Sequence, residues 1–245
     1  MRKVQFLSIL AALLVWSVGC NSAPAPANTA EPRPDAVTAA RPAADDNSGD
    51  DSPRPAKSYN NDGRPVLVCF GDSLTAGAGT EPGQSYPDYL QKDLDQLHYG
   101  YYVVNEGVSG NTTKDGVERL PEVLALHPAI AVVEFGGNDG LRGVPIEVSR
   151  ANLDEIVRTL QQAGIKVVIA GITLPPDYGP DYIARFNETY TVLAKKYHVP
   201  MLPFLLQNAY GSPGMMQRDG IHATSKGNQV VARNVLQLVQ PILKK

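Results

Sequence analysis

The chain has 245 residues, with 22 Lys and Arg against 25 Asp and Glu and a formal charge of −3. This near balance, with no run of Lys or Arg, argues against a nucleic-acid-binding surface. Its only cysteines, Cys20 and Cys69, exclude a disulfide framework, and four histidines without a Cys/His cluster at ligand spacing argue against a structural metal site.

Taken in order, Arg2 and Lys3 precede an apolar run from Val4 to Val18, followed by Gly19 and Cys20. A basic start, an apolar run short of the ~20 residues that span a bilayer, and small residues after it read as an export signal. The ending Trp16-Ser17-Val18-Gly19-Cys20 resembles the lipoprotein box of bacteria, although Ser17 stands where leucine is usual. That resemblance implies lipidation of Cys20, a new N-terminus there, and a membrane partner through the lipid. From residue 21 to 65 the chain is mostly Ala, Pro, Asp, Asn and Ser. So little apolar surface cannot offset the entropy of ordering, and a disordered, extended tether is expected.

Residues 66–245 have the size of one domain. Val66 to Phe70 reads as a buried strand that ends on a tight turn at Gly71-Asp72-Ser73. Pro87 to Leu97 reads as a helix with Leu90, Leu94 and Leu97 on one face. Tyr101 to Val104 is a second strand, leading into Ser109-Gly110-Asn111, and Thr112 can cap a short helix to about Arg119. Ile130 to Phe135 is a third strand ending at Gly136-Gly137-Asn138-Asp139. Ile146 to Ala163 is the clearest helix, with Leu153, Ile156, Val157 and Leu160 at helical spacing and a stop at Gly164. A fourth strand, Ile165 to Ala170, gives way to a proline-stiffened loop from Thr173 to Pro180. A helix from about Asp181 to Tyr197, a short strand from Val199 to Leu202 and a last helix from about Ser225 to Leu243 complete the pattern. Strands alternating with helices imply a three-layer α/β/α sandwich around a five-stranded parallel sheet.

In a parallel sheet all carboxyl ends share one edge, so the turns holding Ser73, Gly110 and Asn138 should converge there. Asp219-Gly220-Ile221-His222 precedes the last helix. An aspartate three residues before a histidine can accept from its Nδ1–H and leave Nε2 free to take a proton from a serine hydroxyl.

These four blocks together resemble the SGNH hydrolases, also called GDSL esterases, and within them the bacterial periplasmic enzymes with arylesterase, thioesterase and lysophospholipase activity. Gly136 to Gly143, Leu174 to Gly179 and Asp219 to His222 carry the closer likeness. The resemblance implies a flavodoxin-like fold, Ser73 as nucleophile, His222 as general base and then acid, and Asp219 as its orienting partner. It implies an oxyanion hole from the N–H groups of Ser73 and Gly110 and the amide of Asn138. It also places Leu174, Pro175 and Tyr178 beside the acyl chain. No cofactor or metal is expected. The partner is a small ester or lipid substrate, the protein a monomer, and the location the cell envelope on its periplasmic side. Ala223 departs from the proline the family often has after the histidine.

The remaining polar residues read as structural. Asp72 is a turn-former rather than the triad acid, Asp139 and Asn111 hold loops, and Glu134 is a carboxylate bound to a partner. His98, His127 and His198 are assigned no catalytic role, and Cys69 is a small buried hydrophobe. Two other functions compete: a carbohydrate O-acetylesterase of the same family, with a shallower and more polar site, and an envelope lipoprotein that binds a ligand without chemistry.

Overall fold

The computed structural model describes residues 62–245. The export signal, Cys20 and the tether up to residue 61 lie outside the described residues. Five strands, β1 (Val66–Gly71), β2 (Tyr102–Gly107), β3 (Ile130–Glu134), β4 (Lys166–Ala170) and β5 (Met201–Leu202), form one sheet in the order β2-β1-β3-β4-β5. Every pairing is parallel. The expected α/β class and strand count are borne out.

Eight α-helices connect and flank the strands: α1 (Ser73–Ala76), α2 (Tyr86–Gln96), α3 (Thr113–Glu118), α4 (Leu120–Leu124), α5 (Gly137–Leu141), α6 (Ile146–Gln162), α7 (Pro180–Tyr197) and α8 (Ser225–Val239). Helix α2 packs with α8, while α3, α6 and α7 form a second group. The strands between them are buried along both faces, with every residue of β3 buried. That is why they read as continuous apolar runs instead of alternating ones. Local chemistry starts the helices where they start. Ser85 with Asp88 and Thr112 with Asp115 each form a reciprocal capping box. Among the described residues no helix is long and apolar enough to cross a membrane.

Several boundaries differ from expectation. Ser73 does not sit on an open turn: it opens a single helical turn, α1, that Asp72 caps by accepting from the Leu74 N–H at 3.0 Å. Likewise Gly137–Leu141 is a short helix and not a turn. Strand β2 runs three residues further than expected, to Gly107, because its pairing with β1 continues to Gly71. The last helix ends at Val239, before a 3-10 turn at Gln240–Ile242 that contains Pro241.

Strand β1 lies inside the sheet, with β2 on one side and β3 on the other. The chain therefore reverses its winding direction at the end of β1, which is where open α/β sheets leave a crevice. Gly107 is required here for a steric reason. A Cβ at that position would overlap the backbone of Thr75 and Ala76, so only glycine lets β2 end against α1.

Candidate active site

Ser73 lies at that crevice, one residue beyond Asp72 at the end of β1. His222 Nε2 is 2.9 Å from Ser73 Oγ. Its Nδ1 is 2.7 Å from Asp219 Oδ2, so the proton belongs on Nδ1 and Nε2 is the acceptor. The other Asp219 oxygen accepts from the backbone N–H groups of Ile221 (2.9 Å) and His222 (3.0 Å). Burial pushes the Asp219 carboxyl up, but the hydrogen bonds from His222 and Ile221 outweigh it and leave it below its ordinary value.

The segment carrying Asp219 and His222 is irregular, and two contacts hold it. Met216 and Ala223 form an antiparallel bridge, with the Gln217 N–H donating to the His222 carbonyl at 2.8 Å. The Gln217 side chain then donates to the carbonyls of Ala78 (2.8 Å) and Ala223 (2.9 Å), tying this loop to the one that follows Ser73. Ala223 thus needs no proline to keep the histidine in place. Sequence reasoning passed over Gln217, because a glutamine in an irregular stretch carries no pattern.

Gly110 follows β2 and Asn138 follows β3, at the same sheet edge as Ser73. Gly110 has φ +82°, a left-handed conformation that favours glycine. The N–H groups of Ser73 and Gly110 have no hydrogen-bond partner among the described residues. Asn138, in the first turn of α5, donates to Asp72 Oδ2 at 3.2 Å and to the Asn111 carbonyl at 3.0 Å. Both of its amide hydrogens are engaged, and the longer bond to Asp72 is the weaker. Arg119, buried, donates to Asn111 Oδ1 (2.9 Å) and pairs with Glu106 (3.0 Å). It braces the ends of the loop that presents Gly110. A single arginine between two short helices carries no sequence pattern that would reveal that role.

Beneath Ser73 is a buried pair of carboxyl groups. Glu134 Oε2 accepts from Thr75 Oγ1 at 2.7 Å and from the Asp72 N–H at 3.2 Å. Burial, then the neighbouring Asp72, pushes Glu134 well above the ordinary range. Burial likewise pushes Asp72 up to about 6. Glu134 is bound by partners as expected, but as a carboxyl that favours its protonated form, and Asp72 caps a turn as expected but also accepts from Asn138. Asp139 accepts from Thr113 and Ser149, fixing α3 and α6 on α5. His98, His127 and His198 each follow a helix in a left-handed conformation, with φ of 58°, 47° and 52°. None of the three lies on the cavity wall. Cys69 is fully buried, and desolvation pushes its thiol up to about 12.

A cavity of about 290 Å³ opens beside Ser73 and His222. Its walls include Leu141, Ile172, Leu174, Pro175, Phe204 and Tyr210. Tyr178, expected at the acyl chain, is not among them. Its ring stacks on Tyr182 at 6.2 Å and its hydroxyl donates to the Leu141 carbonyl at 3.3 Å, so it supports the wall from outside. Phe204, Leu206 and Tyr210 come from the irregular stretch after β5, which the helix and strand patterns did not interpret.

This geometry has counterparts in known proteins. Residues 69–230 match the model of the GDSL-like lipase/acylhydrolase family. Esterase TesA of Pseudomonas aeruginosa is 40% identical over 179 residues, covering 73% of this chain and 89% of that protein. Thioesterase 1/protease 1/lysophospholipase L1 of Escherichia coli strain K12 is 35% identical, covering 73% and 85%. A crystal structure of TesA superposes with a TM-score of 0.70 at 40% identity, covering 73% of this chain and 99% of that one. The chain belongs to the GDSL-like lipase/acylhydrolase family and is an enzyme of the GDSL esterase type.

Proposed function

We propose that the chain hydrolyses carboxylic esters or thioesters of apolar acyl groups through an acyl-enzyme on Ser73. The observation that carries this reading is the continuous run Asp219–His222–Ser73, with links of 2.7 and 2.9 Å, at the mouth of an apolar cavity. His222 Nε2 takes the hydroxyl proton as Ser73 Oγ attacks the carbonyl carbon, and Asp219 stabilises the imidazolium that forms. The carbonyl oxygen becomes an oxyanion that the N–H groups of Ser73 and Gly110 and the amide of Asn138 receive. One such donor contributes about 3 kcal/mol in the transition state. His222 then protonates the departing alcohol or thiol. Water repeats the sequence in reverse roles and frees the acid.

Aryl esters, acyl thioesters and lysophospholipids all fit an acyl group in this cavity. Walls of Leu174, Phe204 and Ile172 favour such chains over the polar ring of an acetylated sugar. Four arranged groups around one serine also exceed what a binding protein needs. Ser73→Ala should abolish hydrolysis of a short aryl ester while leaving circular dichroism unchanged. Turnover retained in that variant overturns the assignment. The chain's first twenty residues support export to the cell envelope with a lipid on Cys20. Cys20→Ser should move the protein from the membrane to the soluble fraction, and an unchanged distribution would discard the anchor.

A further inference from the structure

We propose that Arg142 forms an anion subsite on the leaving-group side of Ser73, selecting esters whose alcohol carries a phosphate a few bonds from the scissile oxygen. The proposal rests on the esterase reading of Ser73.

Arg142 caps the C-terminus of α5, four residues after Asn138, so the two side chains rise from the same face of one helical turn. Its guanidinium lies against the loop at Gly110. A Cβ placed on Gly110 would be 3.5 Å from Arg142 Nη2 and would meet no other described atom within 4 Å beyond its chain neighbours. The space over that glycine is therefore open and bordered by this one cation. Arg142 thus borders Gly110 directly and stands one helical turn from Asn138.

No described carboxylate pairs with it. Arg64, Arg119 and Arg185 pair with Asp62, Glu106 and Glu147, whereas Arg142 has no ion pair among the described residues. It is exposed, as a group awaiting a soluble anion must be. Neither Gly110 nor Arg142 lines the apolar cavity. With the acyl chain seated there, the alcohol portion must extend out of the cavity, and on this proposal its path runs over Gly110, past Arg142. An arginine fork is matched in shape and charge to phosphate oxygens.

Reach decides between the two sources of such a phosphate. In an acylated glycerol phosphate the phosphorus is a handful of bonds from the ester oxygen. In a phosphopantetheine thioester it is more than ten bonds from the sulfur, well beyond an arginine beside the oxyanion donors. The structure therefore favours the glycerol phosphate type. Arg142 takes no part in bond making: the ester C–O bond breaks, His222 protonates the alcohol, and the phosphate keeps its charge throughout.

The test is kcat/KM for an acylglycerol phosphate and for the monoacylglycerol with the same chain, both below their micelle-forming concentrations. It is run on the full chain, Arg142→Ala, Arg142→Lys and Arg218→Ala, with acyl-coenzyme A as a third substrate. Arg142→Ala should lower the phosphate-to-neutral ratio about tenfold, the size expected for a charge-assisted pair at a partly exposed site. Arg142→Lys should keep part of that ratio, Arg218→Ala all of it, and the effect should shrink as salt is raised. An unchanged ratio, including an equal fall on both glycerol esters, overturns the subsite. So does an equal effect of Arg218→Ala, which would mean a diffuse field. An equal fall on acyl-coenzyme A overturns the short reach. Failure of the esterase reading itself would show separately, as turnover in Ser73→Ala.

Discussion

Replacing Asp219 by asparagine tests the geometry of the histidine most sharply. In the native loop one carboxylate oxygen is committed to two backbone N–H groups, of Ile221 and His222, at 2.9 and 3.0 Å. An asparagine oxygen must stay there, because turning the amide round would give up both bonds. At about 1 kcal/mol each, the turned form is disfavoured by ~2 kcal/mol, or about thirtyfold. The NH2 group therefore faces His222 Nδ1, forces the proton onto Nε2, and presents Ser73 with a donor where it needs an acceptor. Loss of the charge that steadies the imidazolium adds to this. Asp219 is partly exposed, with 42% of its side chain accessible, so water screens that second contribution. We expect kcat on a chromogenic aryl ester to fall by roughly a hundred- to a thousandfold, or ~3–4 kcal/mol. The melting temperature should move by no more than a few degrees, since the loop bonds survive. A loss under tenfold would refute this role, as would a loss explained by the unfolded fraction alone.

Two further outcomes concern the floor and wall of the site. Glu134 and Asp72 are wholly buried and hold protons in the folded state at a pH where the unfolded chain has released them. Each raised carboxyl therefore costs stability progressively as pH rises from its unfolded value through its folded one, which for Asp72 spans 3.8 to about 6. Glu134→Gln removes one of these protons from the balance while keeping an acceptor for Thr75. Its stability relative to the native chain, from urea unfolding, should improve between pH 4 and pH 7, and a constant difference would contradict the buried-acid account. Gly140→Ala would place a methyl against the Leu174 side chain, which must shift and which lines the cavity. In a series of aryl esters, preference should shift to shorter acyl chains, whereas an equal fall at every length would mean that α5 and Asn138 had moved instead.

Much of this site was legible in the residues. Apolar runs bounded by glycine and proline gave the five strands, and parallel connection alone brings their carboxyl ends to one edge. The sequence alone therefore groups Gly71-Asp72-Ser73, Gly110, Asn138 and the Asp219–His222 spacing at that edge. The misreadings were local. A helix of one turn, such as Ser73–Ala76 or Gly137–Leu141, is too short to show a 3.6-residue period, so in the sequence both read as turns. The resemblance of its segment places Tyr178 beside the acyl chain, but the direction of its side chain depends on packing against Tyr182 and Leu141.

The order of elements, the α/β class and the groups available for chemistry follow from the sequence by itself, because periodicity and turn chemistry act over a few residues. The tertiary structure alone decided how those groups are held. Gln217 and Ala78 are 139 positions apart, and Glu134 and Thr75 are 59 apart. Neither contact leaves a mark on the sequence near it. The same holds for the cavity walls, drawn from α5, the loop after β4 and the irregular chain after β5, and for the guanidinium of Arg142 over Gly110. Local preference can propose a serine and a histidine. Only the folded chain sets them 2.9 Å apart.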